Sequence, residues 1–236
     1  MPKNAVVVIP TLNENENIYF LYKIIVKKFK IPILFIDDNS NDGTRDKIIE
    51  LSKKNHLVKF IFRKKRLGIG SAHKAGISWA YKKKYSFCVT MDADRTHDPK
   101  EIKKILNAIK KKNADIIITS RFKKKSSLQD WPLLRRLITL IRFYLVKIML
   151  NTNLDSSGGY RCYNLKKIKE NLFKLARSDG YFFLVESLFY FEKLNYKIIE
   201  MPTTLRYRSS GKSKMRFIDI GISLINLFKL AFFNKL

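Results

Sequence analysis

Phe87-Cys88-Val89-Thr90-Met91-Asp92-Ala93-Asp94 joins a short run of strand-forming residues to two carboxylates one residue apart. A continuous run of this kind is the pattern of a strand buried on both faces, as in a parallel sheet covered by helices. Ligands of an open α/β sheet bind outside the carboxyl ends of its strands, which is where Asp92 and Asp94 fall. Alternate side chains of an extended segment share a face, so the two carboxylates can hold one hard cation while Ala93 points away. Coordination positions then remain for phosphate oxygens, and the pattern suits a metal-diphosphate site. An isolated acidic triplet is also a common strand-end turn or helix cap. Here Asp98-Pro99, with proline at a first helical position, already supplies the cap.

On either side of this strand the first half of the chain alternates strands and helices at βα spacing, which calls for a doubly wound, mostly parallel sheet with helices on both faces. Strands are expected at Ala5 to Ile9, Ile33 to Ile36, Val58 to Phe62, Phe87 to Met91 and Ile116 to Thr119. Helices are expected at Asn17 to Lys28, Thr44 to Lys54, Ser71 to Lys83 and Lys100 to Lys111, each with apolar residues near helical period. Past Arg121 comes a basic, serine-containing loop, then Leu133 to Leu150, where arginines alternate with an apolar face. From Phe217 to Leu236 the chain is apolar but interrupted by Asp219, Asn226 and Lys229, which fall inside the window of about 20 residues that a spanning helix needs. An amphipathic helix lying on a membrane surface is expected there, with core packing and a true span as the other readings. The domain plan is thus a catalytic unit over 1–215 and a C-terminal amphipathic helix over 216–236.

At 236 residues the chain suits one α/β domain with an appendage. Its formal net charge of +28 would attract polyphosphates, anionic lipid or nucleic acid. Lysines such as Lys82-Lys83-Lys84 and Lys110-Lys111-Lys112 are spread over nearly every expected surface. No helix-turn-helix, zinc or aromatic RNA-binding signature accompanies them, so no nucleic-acid partner is expected. Cys88 and Cys162 have no paired spacing and read as buried or free thiols. The apolar run Ala5 to Pro10 is too short for a secretory signal and reads as a first strand.

Other strand ends are polar as well: Pro10-Thr11-Leu12-Asn13-Glu14 after the first strand and Asp37-Asp38-Asn39-Ser40-Asn41-Asp42-Gly43-Thr44 after the second. In a doubly wound sheet such loops converge on one crevice, the expected position of a nucleotide. Arg66-Leu67-Gly68-Ile69-Gly70-Ser71 opens a helix, so its amides can face a phosphate, although a plain helix-start turn explains the glycines equally well.

These segments, with Met91-Asp92-Ala93-Asp94-Arg95-Thr96-His97-Asp98-Pro99 and Thr119-Ser120-Arg121, resemble family-2 glycosyltransferases of the dolichol-phosphate (polyprenyl-phosphate) mannose synthase group. Arg135 with Thr139 resembles that group's contacts to lipid phosphate. Asp155-Ser156-Ser157-Gly158-Gly159-Tyr160-Arg161 resembles its mid-chain motif, and Arg208-Ser209-Ser210-Gly211-Lys212-Ser213-Lys214 its basic C-terminal loop. Three positions depart from the pattern: Lys212 stands where an acid is usual, Arg95 where an apolar residue is common, and Thr139 where serine is.

The resemblance implies a GT-A-type fold and inverting transfer of a hexose from a nucleotide diphosphate sugar, GDP-mannose first, to a polyprenyl phosphate. It implies that Asp92 and Asp94 hold Mg2+ or Mn2+, with Thr96 completing the shell directly or through water. Pro10, Thr11, Glu14, Asp38, Gly68 and Asp92 would bind the donor nucleotide, with Asp37 either beside them or structural. Arg121, Arg135, Thr139, Arg208 and Lys214 would bind the acceptor phosphate, so that Asp92, Asp94, Arg121 and Arg208 carry the catalysis. The protein would sit peripherally on the cytoplasmic face of a membrane, attached by its own amphipathic segments or by a membrane partner subunit. The rival readings are transfer from a UDP-sugar, nucleotidyl transfer to a sugar phosphate, and a basic module that binds anionic membrane or nucleic acid without catalysis.

Overall fold

In the computed structural model, which describes residues 4–129, 131–205 and 214–233, strand β1 (Ala5–Thr11) lies between β2 (Ile33–Asp37) and β4 (Phe87–Thr90), with β3 (Val58–Phe62) outside β2. All four run parallel. On the other side of β4 come β6 (Arg161–Asn164), β5 (Ile116–Ser120) and β7 (Ile198–Pro202), completing a seven-stranded sheet in the order β3-β2-β1-β4-β6-β5-β7. Only β6 is antiparallel to its neighbours; β7 is parallel to β5.

Both faces of the sheet are covered at its centre, which is why β1, β2, β4 and β5 read as near-continuous apolar runs. Val7, Ile9 and Phe35 point to one side with Ile18, Ile25, Ile105 and Leu106. Val6, Val8 and Leu34 point to the other with Ile77, Phe183 and Phe191. The covering helices are α1 (Asn15–Leu21), α2 (Thr44–Lys54), α3 (Ile69–Lys82), α4 (Ile102–Lys111) and α6 (Phe183–Lys193). The expected Asn17 to Lys28 helix changes winding part-way. From Tyr22 to Lys28 it is π-helical, and the Phe29 N–H donates to the Ile24 carbonyl five residues back. A 3₁₀ turn over Pro99–Glu101 precedes α4, and the Asp98 carboxylate accepts the Lys100 N–H at its start.

Helices α5 (Leu133–Leu150) and α7 (Phe217–Phe233) pack on each other and on α6 through Val146, Leu150, Phe182, Val185, Leu227 and Leu230. Their outer faces stay bare: Leu133 and Ile148 are each 78% exposed, Phe217 93% and Phe233 80%. Among the described residues no helix is long and apolar enough to cross a membrane. Cys88 and Cys162 are buried, free thiols on adjacent strands.

His73, on α3, is buried and stacked at 5.9 Å on Phe183, and among the described residues neither ring nitrogen has a hydrogen-bond partner. Burial first, then the charge of Arg161, pushes its pKa down from 6.5 to about 3. Between those values the unfolded chain takes up a proton that the fold refuses. Stability is therefore full above about pH 6.5 and declines as pH falls, by at most about 1.4 kcal/mol per unit. His73→Phe keeps the stacking and is expected to flatten that decline. Urea midpoints near neutral pH and at about pH 4.5 test it, and an unchanged slope would rule the role out.

Candidate active site

The strand order reverses between β1 and β4, so the loops after them leave in opposite directions and open a crevice at the carboxyl edge. Its first wall is stitched from the ends of β1 and β2. The Asn13 N–H donates to Ser40 Oγ (2.8 Å), the Asn41 N–H to Asn13 Oδ1 (3.0 Å), the Glu14 N–H to Thr44 Oγ1 (2.8 Å) and the Asn15 N–H to Asp42 (3.1 Å). Thr11 and Glu14 both lie in this wall, nearly buried, and Pro10 is partly buried at the end of β1.

Asp37 falls on the structural side of its two readings. It is fully enclosed, and its carboxylate accepts from the Ser40 N–H and hydroxyl, from Arg45 Nε (2.6 Å) and from Thr11 Oγ1 (3.3 Å). The amide of Gly68 also needs a correction. It does not face an open phosphate cradle: the N–H groups of Leu67 and Gly68 both donate to the Asp38 carboxylate at 2.8 Å, which Arg63 pairs at 2.7 Å. Gly68 is required all the same, because its φ is +95° and a Cβ would lie 2.5 Å from the Asp179 carbonyl oxygen.

At the end of β4 the Asp94 carboxylate, nearly buried, accepts the Thr96 N–H (3.1 Å) and hydroxyl (2.7 Å). Thr96 thus orients Asp94. The Asp92 side chain is 34% exposed to the crevice, and its backbone N–H donates to His97 Nδ1 at 3.0 Å. That bond fixes the turn, and the ring stacks on Tyr160 at 5.0 Å. A Cβ on Gly159 would stand 3.1 Å from Asp92 Oδ1, so glycine leaves this carboxylate room. Arg95, at φ +63°, turns its guanidinium away to the Glu16 carbonyl and the Phe20 ring, and its charge does not crowd the triplet. Among the described residues no three His, Cys, Asp or Glu side chains cluster to hold a metal alone. Two adjacent carboxylates and a hydroxyl are the donor set for a hard divalent ion that completes its shell with phosphate oxygens.

Facing Asp92 is a buried pair. Arg121 donates through its backbone N–H (2.9 Å), Nε (2.8 Å) and a terminal nitrogen to Asp155, and also reaches Ser157. Burial alone would lower the Arg121 pKa, but Asp155, with Asp92 adding, outweighs it and the pKa is raised. Asp155 shows the mirror image: burial raises and Arg121 lowers, with a net lowering. Above this pair runs α5. Arg135 lies 3.9 Å over the Trp131 ring, and the Thr139 hydroxyl donates back to the Arg135 carbonyl (2.8 Å), so it must rotate to meet a ligand. Lys214 lies against the first wall: its Nζ donates to the Asn13 carbonyl (3.0 Å) and stands 3.9 Å from Glu14, while Arg66 holds its carbonyl (2.9 Å). Arg208 lies outside the described residues.

The glycosyl transferase family 2 model matches residues 6–172. The chain belongs to that glycosyltransferase family. An undecaprenyl-phosphate mannosyltransferase of Micrococcus luteus is 32% identical over 222 residues, 93% of this chain and 90% of its own. A polyprenol monophosphomannose synthase of Mycolicibacterium smegmatis is 30% identical over 232 residues, 97% of this chain and 86% of its own. In three dimensions the chain is similar to glucosyl-3-phosphoglycerate synthase of Mycobacterium tuberculosis, solved with Mn2+, UDP and glucosyl-3-phosphoglycerate. That match has a TM-score of 0.64 at 17% identity and covers 96% of this chain and 78% of that one. The likeness shows that the glycosyltransferase has the GT-A-type fold.

Several residues that build this glycosyltransferase site escape a reading of strand ends: His97 behind Asp92, Asp155 under Arg121, and Arg161 at the start of β6. Arg161 is fully buried and donates to the carbonyls of Gly158 (2.8 Å), Ser156 and Leu184 (2.8 Å), which shapes the segment carrying Asp155 and Gly159. The visible signals were the Met91 to Pro99 and Asp155 to Arg161 segments, which the resemblance picks out without assigning these residues a role.

Proposed function

We propose that this glycosyltransferase moves mannose from GDP-mannose to a polyprenyl phosphate with inversion, producing a lipid-linked monophosphosugar and GDP. The observation that carries the reading is an acidic triplet faced by an arginine wall. Asp92 acts electrostatically on Arg121, so a diphosphate on the carboxylates and an anionic acceptor by the arginines would meet across one sugar. The names and near full-length coverage of the two relatives support the substrate pair.

Thr11, Glu14 and Asp38 line the nucleoside end, and Asp94, oriented by Thr96, with Asp92 meets the diphosphate. A Mg2+ or Mn2+ ion between the two carboxylates would offset the charge that builds on the leaving diphosphate. The acceptor is already anionic, so its phosphate oxygen attacks the anomeric carbon without a general base, and the bond to the diphosphate oxygen breaks on the opposite face. Arg121, Arg135, Thr139, Arg208 and Lys214 orient that phosphate. For Lys214 this requires release of its contact with Asn13 and Glu14. The bare faces of α5 and α7, flanked by Arg136, Arg216 and Lys229, suit the cytoplasmic surface of a membrane, where the acceptor's tail lies.

The test is incubation of the purified chain with polyprenyl phosphate, Mg2+ or Mn2+, and radiolabelled GDP-mannose, UDP-glucose or UDP-N-acetylglucosamine in turn. Label is expected in the organic phase from GDP-mannose. Label from a UDP-sugar alone would replace the donor assignment, and binding of a nucleotide sugar without lipid label from any donor would overturn the acceptor.

A further inference from the structure

Arg142 lies one turn beyond Thr139 on α5, and the two share the inner stripe of the helix with Arg135, Val146 and Leu150. Val146 and Leu150 continue that stripe into the core, while Leu137, Ile141 and Ile148 on the opposite face are exposed. Arg142 therefore faces inward, half-buried. It feels the charges of Arg121, Asp155 and Arg135, and burial together with the two arginines pushes its pKa down to about 10. It stays protonated near neutral pH and is held at an electrostatic cost.

Among the described residues the Arg142 guanidinium has no hydrogen bond or ion pair, whereas Asp155 spends both carboxylate oxygens on Arg121. Arg121 and Arg142 both face that one carboxylate, which leaves positive charge in excess beside Asp92. A phosphate monoester carries about −1.5 to −2 near pH 7 and offers three acceptor oxygens to planar guanidinium donors.

We propose that Arg142 is a direct ligand of the acceptor's phosphate monoester, completing a pocket that Arg121 and Arg135 begin. This rests on the acceptor reading given above. The anion would relieve the crowding that the cluster otherwise carries, and the apolar outer face of α5 leads its isoprenoid tail toward lipid.

Calorimetric titration of the full chain with farnesyl phosphate, inorganic phosphate and GDP tests it. For Arg142→Gln the affinity for farnesyl phosphate is expected to fall about tenfold or more, as for loss of a charge-assisted contact, with that for GDP unchanged. Arg142→Lys should recover part of the loss. A matching fall with inorganic phosphate places the effect on the headgroup; a fall confined to farnesyl phosphate would contradict the phosphate role. Should Arg142→Gln fail to fold, phenylglyoxal labelling of Arg142 in the parent chain, mapped by mass spectrometry, is expected to be blocked by farnesyl phosphate. Equal affinity in the variant, or labelling without protection, overturns the role of Arg142 and leaves the acceptor reading standing. A parent chain that binds GDP but not farnesyl phosphate overturns the acceptor reading, and this proposal with it.

Discussion

Asp94→Asn is expected to lower transfer to lipid by about 10²- to 10³-fold while leaving the fold intact, the scale seen when one group opposing developing transition-state charge is removed. The amide is the same size as the carboxylate, and its carbonyl oxygen still accepts from the Thr96 N–H and hydroxyl that hold Asp94 Oδ1. The turn therefore keeps its hydrogen bonds. What disappears is one of the two negative charges that make the end of β4 a site for a hard cation. Thermal melting should show a midpoint close to that of the parent, and organic-phase label from the sugar donor should be nearly lost. Retention of full transfer would sink the metal-diphosphate reading of the triplet, and a lowered melting point would show that the carboxylate is structural.

Asp155→Leu should have its largest effect on stability. Asp155 is 1% exposed and accepts three hydrogen bonds from Arg121, one through the backbone N–H. Without it the guanidinium is left buried and uncompensated, which costs about 3–5 kcal/mol and, for a chain of this size, lowers the melting point by roughly 6–20 °C. Adding Arg121→Met in the same chain removes the stranded charge and should restore much of that loss, while transfer activity stays low. If the single variant melts like the parent, the pair does not hold this edge of the site together. The acid limb follows from the same pair. Burial raises the Asp155 carboxyl and Arg121 lowers it, with a net depression below 3.8. Its contribution is therefore complete above about pH 3.8 and lost as pH falls through the depressed value. The His73 decline lies at higher pH, between about 6.5 and 3, so the two limbs separate in a pH series of urea midpoints.

Of the first five strands, β1, β2, β4 and β5 were legible as near-continuous apolar runs that a doubly covered sheet demands, and β3 as a short aromatic and β-branched run interrupted by Lys59 at the sheet edge; their ends differ from expectation by no more than a residue or two. β6 was not, for a reason visible in Arg161: a fully buried arginine looks like a surface residue until Gly158, Ser156 and Leu184 are seen offering it their carbonyls. β7 was missed because its pattern, Ile198-Ile199-Glu200-Met201-Pro202, lies only partly buried along the sheet edge. The acidic residues after β2 were picked out as ligand contacts. A sequence shows that Asp37 and Asp38 are charged, but not that Ser40 and Arg45 already occupy one and the Leu67 and Gly68 amides the other.

By itself the sequence determined the α/β class, the β1–β5 order along the chain, the acidic triplet at the end of β4 and the family. All of these follow from local pattern and short spacing, which survive without knowledge of what packs where. Only the tertiary structure decided which charges are already spent. It gave Asp155 to Arg121, turned Arg95 away from the triplet, set His97 behind Asp92 and left Arg142 inward on α5 among like charges. Those assignments depend on partners from 5 to 79 residues apart in the chain, and the free energy of a buried charge is fixed by such neighbours rather than by its own position in the sequence.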